Sequence, residues 1–177
     1  MCIRDSLSSL EILNHLLVCG ASSIVLDICI CGSIVEDDIK SQYSRVLNLL
    51  KADGRIHVKS RQYPSNLYAR LLSSADLFVM PSRLESSSLA ALEALWFGVP
   101  SILTPQCGVD SFVEARHGHQ LIQHNPAALA QAIYTLSTCS EIREYCRTCL
   151  VEDRHLFSWS QYFSAYQQLL SMKSRLY

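Results

Sequence analysis

The apolar positions of this chain change period repeatedly, and the changes mark out alternating helices and strands. Leu7, Leu10, Ile12, Leu13, Leu16 and Leu17 recur every three or four residues and predict a helix over 7–18. The stretch 23–31 is β-branched and apolar, sets Cys29 and Cys31 in alternation with Ile28 and Ile30, and stops at Gly32, which reads as a strand. Ile39, Tyr43, Val46, Leu47 and Leu50 share one face of a helix over 37–51. A short strand follows over 55–58, then a helix over 65–74 opened by Pro64. Leu77, Phe78, Val79 and Met80 form an unbroken apolar run within a strand over 76–80, the pattern of a strand covered on both faces. A helix over 88–97 ends at Gly98 with Pro100 just beyond. Strands over 101–104 and 119–123 and helices over 127–136, 140–153 and 159–170 complete the pattern. Such alternation implies an α/β fold: a parallel sheet with helices on both faces, ending in C-terminal helices.

Composition narrows the function classes. The chain has 177 residues, 49% hydrophobic and 18% charged, enough for one domain with a real core or for part of a larger protein. A formal net charge of −1 leaves no polyanion-binding footprint, so nucleic acid is not an expected partner. No apolar run reaches the ~20 residues of a membrane span. The nearest, 16–34, is broken by Cys19-Gly20, Ser22-Ser23 and Asp27, and residues 1–6 do not resemble a secretory leader. A soluble, cytoplasmic protein is expected. Of eight cysteines, Cys139, Cys146 and Cys149 could join His155 around zinc. Cys146 and Cys149 also sit at helical spacing with Ile142, Tyr145 and Leu150, and the packed helix face is the favoured reading.

In a parallel sheet of this kind ligands bind beyond the carboxyl ends of the strands. That edge comprises Gly32-Ser33, the stretch 59–63, the stretch 81–88 and the stretch 105–108. Ser86, Ser87 and Ser88 are good N-cap residues, and a helix start offers free N–H groups and the positive end of a dipole to a phosphate. Glu85 lies just before that start. Glu93 is the one charge between Leu89 and Phe97, so it is expected to be buried and in need of a partner or a ligand. Eight residues of helical rise separate the two carboxylates by at most ~12 Å. Alternatively, Glu85 is a solvated loop carboxylate and Glu93 a core charge paired with Arg83, Arg116 or His117. His117 and His119, with Glu114, suggest a metal pair only weakly, because loop histidines are commonly solvated.

The stretch 75–104 resembles the donor-binding segment of family 4 (group 1) glycosyltransferases, retaining enzymes of the GT-B fold. The matching residues are Pro81-Ser82, Glu85, the seven residues to Glu93-Ala94-Leu95, and Gly98-Val99-Pro100-Ser101-Ile102. Weaker matches are Cys31-Gly32, Leu67-Tyr68 through Ala75-Asp76, Gly118 through Ile122, and Phe157-Ser158-Trp159, so that nearly all of 7–177 is covered. The resemblance implies a Rossmann-like nucleotide-sugar-binding domain, the C-terminal half of a GT-B enzyme. It implies that Glu85 meets the donor sugar as the catalytic carboxylate. The amides around Ser87, Ser88 and Leu89 would hold the diphosphate, with Ser86 and Gly32 also among the donor-binding residues. Glu93 would accept from the ribose, and Val58, Lys59 and Arg61 would lie by the base. Hexosyl transfer would proceed by front-face attack, with no protein nucleophile, cofactor or metal. The implied partners are a nucleotide-sugar donor and a saccharide or lipid-linked acceptor, with peripheral membrane association through the full-length enzyme.

Departures from the family pattern shape further expectations. Ser86-Ser87-Ser88 stands where Gly-Phe-Gly is usual, Cys107-Gly108 replaces Gly-Gly, and Ser111 stands where a Glu is common. The Arg and Lys that clamp the diphosphate from the first strand and loop are not found. We therefore expect residues 1–6 to be a non-native or truncated start, the first strand and the N-terminal acceptor domain to be missing, and the chain alone to be inactive. A GT-B-like nucleotide-sugar 2-epimerase and a non-catalytic α/β interaction domain are the alternative readings.

Overall fold

The computed structural model describes residues 3–19, 23–31, 37–83, 85, 88–109, 113–120, 124–161, 163, 164 and 167. Strands and helices alternate from the start: α1 (Ile3–Cys19), β1 (Leu26–Cys31), α2 (Asp37–Asp53), β2 (Ile56–Arg61), α3 (Ser65–Ser73), β3 (Phe78–Met80), α4 (Leu89–Trp96) and β4 (Ser101–Leu103). After β4 come β5 (Gly118–Gln120), α5 (Pro126–Thr138) and α6 (Ser140–Glu152), with short 3-10 turns at Pro105–Cys107, Ala115–His117 and Arg154–Phe157. The first helix starts at Ile3, earlier than its apolar repeat indicates. Of the helix expected over 159–170, residues 159–161, 163, 164 and 167 are helical.

All strand pairs are parallel, as the alternation requires, but the strands form two sheets where one was expected. β1 pairs with β2, and β3 pairs with β4, which pairs with β5. Apolar side chains knit the two sheets to a shared helical layer. Leu10, Leu13 and Leu17 of α1, Val46 and Leu50 of α2, and Leu129 to Leu136 of α5 make one core with Ile56 of β2 and Ile102 of β4. Leu26, Ile28, Leu77 and Val79 pack against that same core from both sheets. On the opposite face, Ala91 and Leu95 of α4 meet Leu103, Cys107, Leu150 and Phe157, with Phe78 and Met80 packed alongside. α3 joins this face through Leu72, which packs with Ala94 and Val99.

The alternation along β3 explains the division: Leu77 and Val79 turn to one layer, Phe78 and Met80 to the other. β5 approaches β4 so closely that a side chain at Gly118, whose φ is 147°, would put its Cβ 2.3 Å from the Ser101 carbonyl oxygen. Only glycine is accommodated there. Cys146 and Cys149 are buried on α6 as an apolar face, Cys139 is half-buried and His155 is exposed. Among the described residues no three His, Cys, Asp or Glu side chains are grouped to hold a metal ion.

Candidate functional site

The carboxyl ends of β3 and β4 release two loops that are tied to each other. The Glu85 N–H donates to the Gln106 carbonyl at 2.9 Å, and the Ser88 N–H donates to the Cys107 carbonyl at 3.0 Å. Side chains reinforce the tie from below. Buried Thr104 donates its hydroxyl to the Ser82 carbonyl, and the fully buried Cys107 thiol donates to the Met80 carbonyl at 3.0 Å. Each bond satisfies a backbone group that burial would otherwise leave costly.

α4 begins against this platform. Ser88 is its N-cap, buried, with Oγ accepting from the Ala91 N–H at 3.3 Å. Because the Ser88 N–H serves Cys107, it is not available to an anion, contrary to the expected diphosphate role. The first-turn amides of Leu89 and Ala90 have no acceptor within the helix and carry the positive end of its dipole. Ser86, Ser87 and Gly32 lie outside the described residues.

The two glutamates stand at either end of this helix start. Glu85 is half-buried and its Oε1 accepts from the Ser82 hydroxyl at 3.3 Å. Glu93 is exposed, which corrects the expectation of a buried charge. The reason lies in the shortness of α4. Its eight residues bury only the stripe of Ala91, Ala94 and Leu95, and Leu89 and Trp96 on the remaining faces are exposed as well. Exposed Trp96 is partly covered by the Arg154 guanidinium, 5.8 Å from its ring centroid. Glu93 has no hydrogen bond or ion pair among the described residues. Its carboxylate is nonetheless felt by Tyr68 of α3, whose phenol is pushed up to about 12 by burial first, then by Glu93 and by Cys31. Half-buried Tyr68 packs beside Ala94 and Val99.

The far side of the edge is built by β1 and β2. Cys29 pairs in register with Lys59, and Cys31 with Arg61. The Cys29 thiol lies 3.0 Å from the Tyr63 hydroxyl, and burial together with Cys29 raises the Cys31 thiol to about 11. Lys59 is exposed, whereas the partly buried Val58 packs against the core. Arg61 closes β2. Tyr63, at the end of the 59–63 stretch expected at this edge, reaches it through its hydroxyl.

Two of the partners weighed for Glu93, His117 and Arg116, are engaged elsewhere. His117 is fully buried, its Nδ1 accepting from the Glu114 N–H at 3.0 Å and its Nε2 lying 2.7 Å from Asp153 Oδ2. An Nδ1 that accepts leaves the proton on Nε2, so His117 is the neutral tautomer donating to Asp153. Arg116 bridges Glu114 and Asp153 at 2.8 Å each. The hydrogen bond from His117, and then the charge of Arg116, hold the Asp153 carboxyl below the usual carboxylate range. This cluster ties the entry of β5 to the end of α6. It has no metal-holding geometry at His117.

Comparison with known proteins agrees with the architecture. The family model described as "Glycosyl transferases group 1" matches residues 12–148. Glycogen synthase 2 of Nitrosococcus oceani is 32% identical over 129 residues, 64% of this chain and 26% of the relative. The chain thus spans about a quarter of the length of that curated relative. The C-terminal domain of a group 1 glycosyl transferase, LpcC, from Francisella tularensis superposes with a TM-score of 0.65 at 17% identity, covering 81% of this chain and 75% of that one. The OtsA apo structure gives a TM-score of 0.70 at 10% identity, covering 94% and 40% respectively.

Proposed function

Because the chain belongs to the group 1 glycosyltransferases, we propose that the edge formed by Glu85, the start of α4 and Glu93 holds the nucleotide diphosphate sugar donor of a retaining transferase. The observation that carries this reading is the placement of two accessible carboxylates at either end of a capped helix start. Glu85 sits before Ser88 and Glu93 stands exposed on α4 with no hydrogen bond or ion pair among the described residues. A donor has that polarity: hydroxyls at the sugar, negative charge in the middle, hydroxyls again at the ribose. Carboxylates accept from hydroxyls, and the amides of Leu89 and Ala90 with the helix dipole favour the phosphates.

In this reading Glu85 orients the transferred hexosyl unit and Glu93 the ribose. The bond between the anomeric carbon and the diphosphate oxygen breaks as an acceptor hydroxyl adds to the same face. The hydroxyl proton passes to the departing phosphate. The protein contributes alignment and stabilisation of the growing negative charge at the start of α4. Lys59 and Arg61, at the far side of the edge, would lie toward the base, and the acceptor would be a saccharide or a lipid-linked sugar. No resident metal or cofactor is called upon, and acceptor binding is assigned to a further domain of the whole enzyme.

Isothermal titration of the chain with UDP-, GDP- and ADP-glucose tests the assignment. One nucleotide sugar should bind, and Glu93→Gln should weaken it roughly tenfold, the loss expected for a hydrogen bond to a charged acceptor. Binding that is absent for all three, or unchanged in Glu93→Gln, would overturn the reading.

A further inference from the structure

Cys107 holds the stretch from Met80 to Ser88 at both of its ends, and we infer that it is a positioning residue that sets where the Glu85 carboxylate stands. The inference rests on the donor-site reading of Glu85, and adds to it a side chain that the glycine usual in the family pattern would lack. At the near end the Cys107 thiol donates to the carbonyl of Met80, the last residue of β3, at 3.0 Å. At the far end the Cys107 carbonyl accepts from the Ser88 N–H at 3.0 Å, where α4 is capped. Glu85 lies between these points, five residues after the first and three before the second.

The turn that carries Cys107 is fixed at its own ends. Cys107 closes the 3-10 turn Pro105–Cys107, its N–H donating to the Thr104 carbonyl at 3.0 Å, and Gly108 follows with a φ of 69°. Proline presets the first residue of the turn, and glycine accepts the left-handed exit. Two neighbours in this turn add intermediate points. The Thr104 hydroxyl donates to the Ser82 carbonyl, and the Gln106 carbonyl accepts from the Glu85 N–H at 2.9 Å. The Glu85 side chain is tethered in turn, since its Oε1 accepts from the Ser82 hydroxyl at 3.3 Å. A shift of Met80 is therefore passed through Ser82 to the carboxylate.

The thiol both packs and donates. Cys107 is fully buried in the cluster of Ala91, Leu95, Leu103 and Leu150, so its bulk helps to seat α4. It also carries one proton, and the geometry directs that proton to Met80. The Thr104 oxygen lies 3.4 Å from the sulfur, but its own proton goes to Ser82, so the two donors serve different carbonyls. A partly buried carbonyl left without a donor is costly, and movement of the chain toward water relieves that cost. Glycine or alanine at 107 would keep the Ser88 bond, which is backbone alone, and release Met80. The side-chain half of the grip can thus be removed while the backbone half stays.

Cys107→Val keeps the bulk and deletes the donor, whereas Cys107→Ser keeps a donor and loses bulk. Residue-resolved hydrogen exchange reads the hold on Glu85 without any ligand. The Glu85 and Ser88 amides should exchange about tenfold faster in Cys107→Val and close to wild type in Cys107→Ser, with Ile30 of β1 and Ile102 of β4 unchanged in both. Isothermal titration reads the consequence for binding. Cys107→Val should weaken the nucleotide sugar about fivefold and leave the matching nucleoside diphosphate, which lacks the sugar that Glu85 meets, unchanged. Unmoved Glu85 and Ser88 amides in Cys107→Val would overturn the inference, as would acceleration of all amides together, the mark of packing alone. Equal weakening of both ligands would overturn it too. Failure of every nucleotide to bind the wild-type chain would sink the donor reading, and the exchange rates would still decide whether Cys107 holds Glu85. Cys107→Ala, which cannot overfill the core, takes the place of valine should that variant not fold.

Discussion

Replacing Gly118 by alanine offers the sharpest test of the packing between β4 and β5. The new Cβ would lie 2.3 Å from the Ser101 carbonyl oxygen, 2.5 Å from its nitrogen and 3.0 Å from its carbonyl carbon. Contacts shorter than 3.0 Å are essentially never adopted by real Cβ atoms, so the closest overlap is at least 0.7 Å, and it is with backbone on a fully buried strand. No rotamer relieves it; β5 must move away and surrender hydrogen bonds to β4. Overpacking of this kind costs about 1–3 kcal/mol, and the φ of 147° adds roughly 1–3 kcal/mol for alanine. A total near 4 kcal/mol is a large part of the ~5–15 kcal/mol of a typical domain. With a urea m-value of about 2 kcal/mol/M, the midpoint should fall by roughly 2 M. Gly54→Ala is the control, because φ there is 73° but nothing lies within 4 Å of the added carbon. It should cost only the ~1–2 kcal/mol of a left-handed alanine. Equal midpoints for the two variants, measured by circular dichroism, would refute the close approach.

Three further outcomes follow from two groups described above. Asp153→Ala removes the acceptor of the fully buried His117 Nε2–H and should destabilise the fold by about 1–3 kcal/mol in urea denaturation. Because the folded Asp153 pKa is depressed, its contribution is fully present above the unfolded value of about 3.9 and is lost as pH falls through the lower, folded value. The stability gap between wild type and Asp153→Asn should therefore shrink below pH 4, and a constant gap would contradict the pairing. Ser88→Ala deletes the cap on the Ala91 N–H and should cost about 1 kcal/mol, with Ser88→Thr largely restoring it in the same denaturation assay.

Much of the architecture was legible from local pattern. Helix α4 ends where Gly98 and Pro100 stop it, β4 follows at Ser101, and Cys146 and Cys149 pack on α6 as their helical spacing indicates. What was not legible depends on partners distant along the chain. An apolar run around Glu93 cannot reveal that only one stripe of an eight-residue helix is covered; that depends on Leu103 and Leu150 beneath it. The donation from the Ser88 N–H to Cys107, and the His117–Asp153 bond, join residues far apart in sequence and leave no periodic trace. The division of the sheet likewise concerns which strand edges meet. Hydrophobic alternation specifies faces and says little about edges.

The bonds that join Glu85 to Gln106 and Ser88 to Cys107 have a consequence for the entropy of recognition. Glu85 and Gln106, and Ser88 and Cys107, are held together before anything arrives, because folding has already removed the relative freedom of each pair. A molecule docking at the start of α4 therefore orders little on this wall, and its affinity is reduced correspondingly little by that source. This wall behaves as a fixed jaw, and calorimetry on it alone should record a small ordering penalty even when binding is weak.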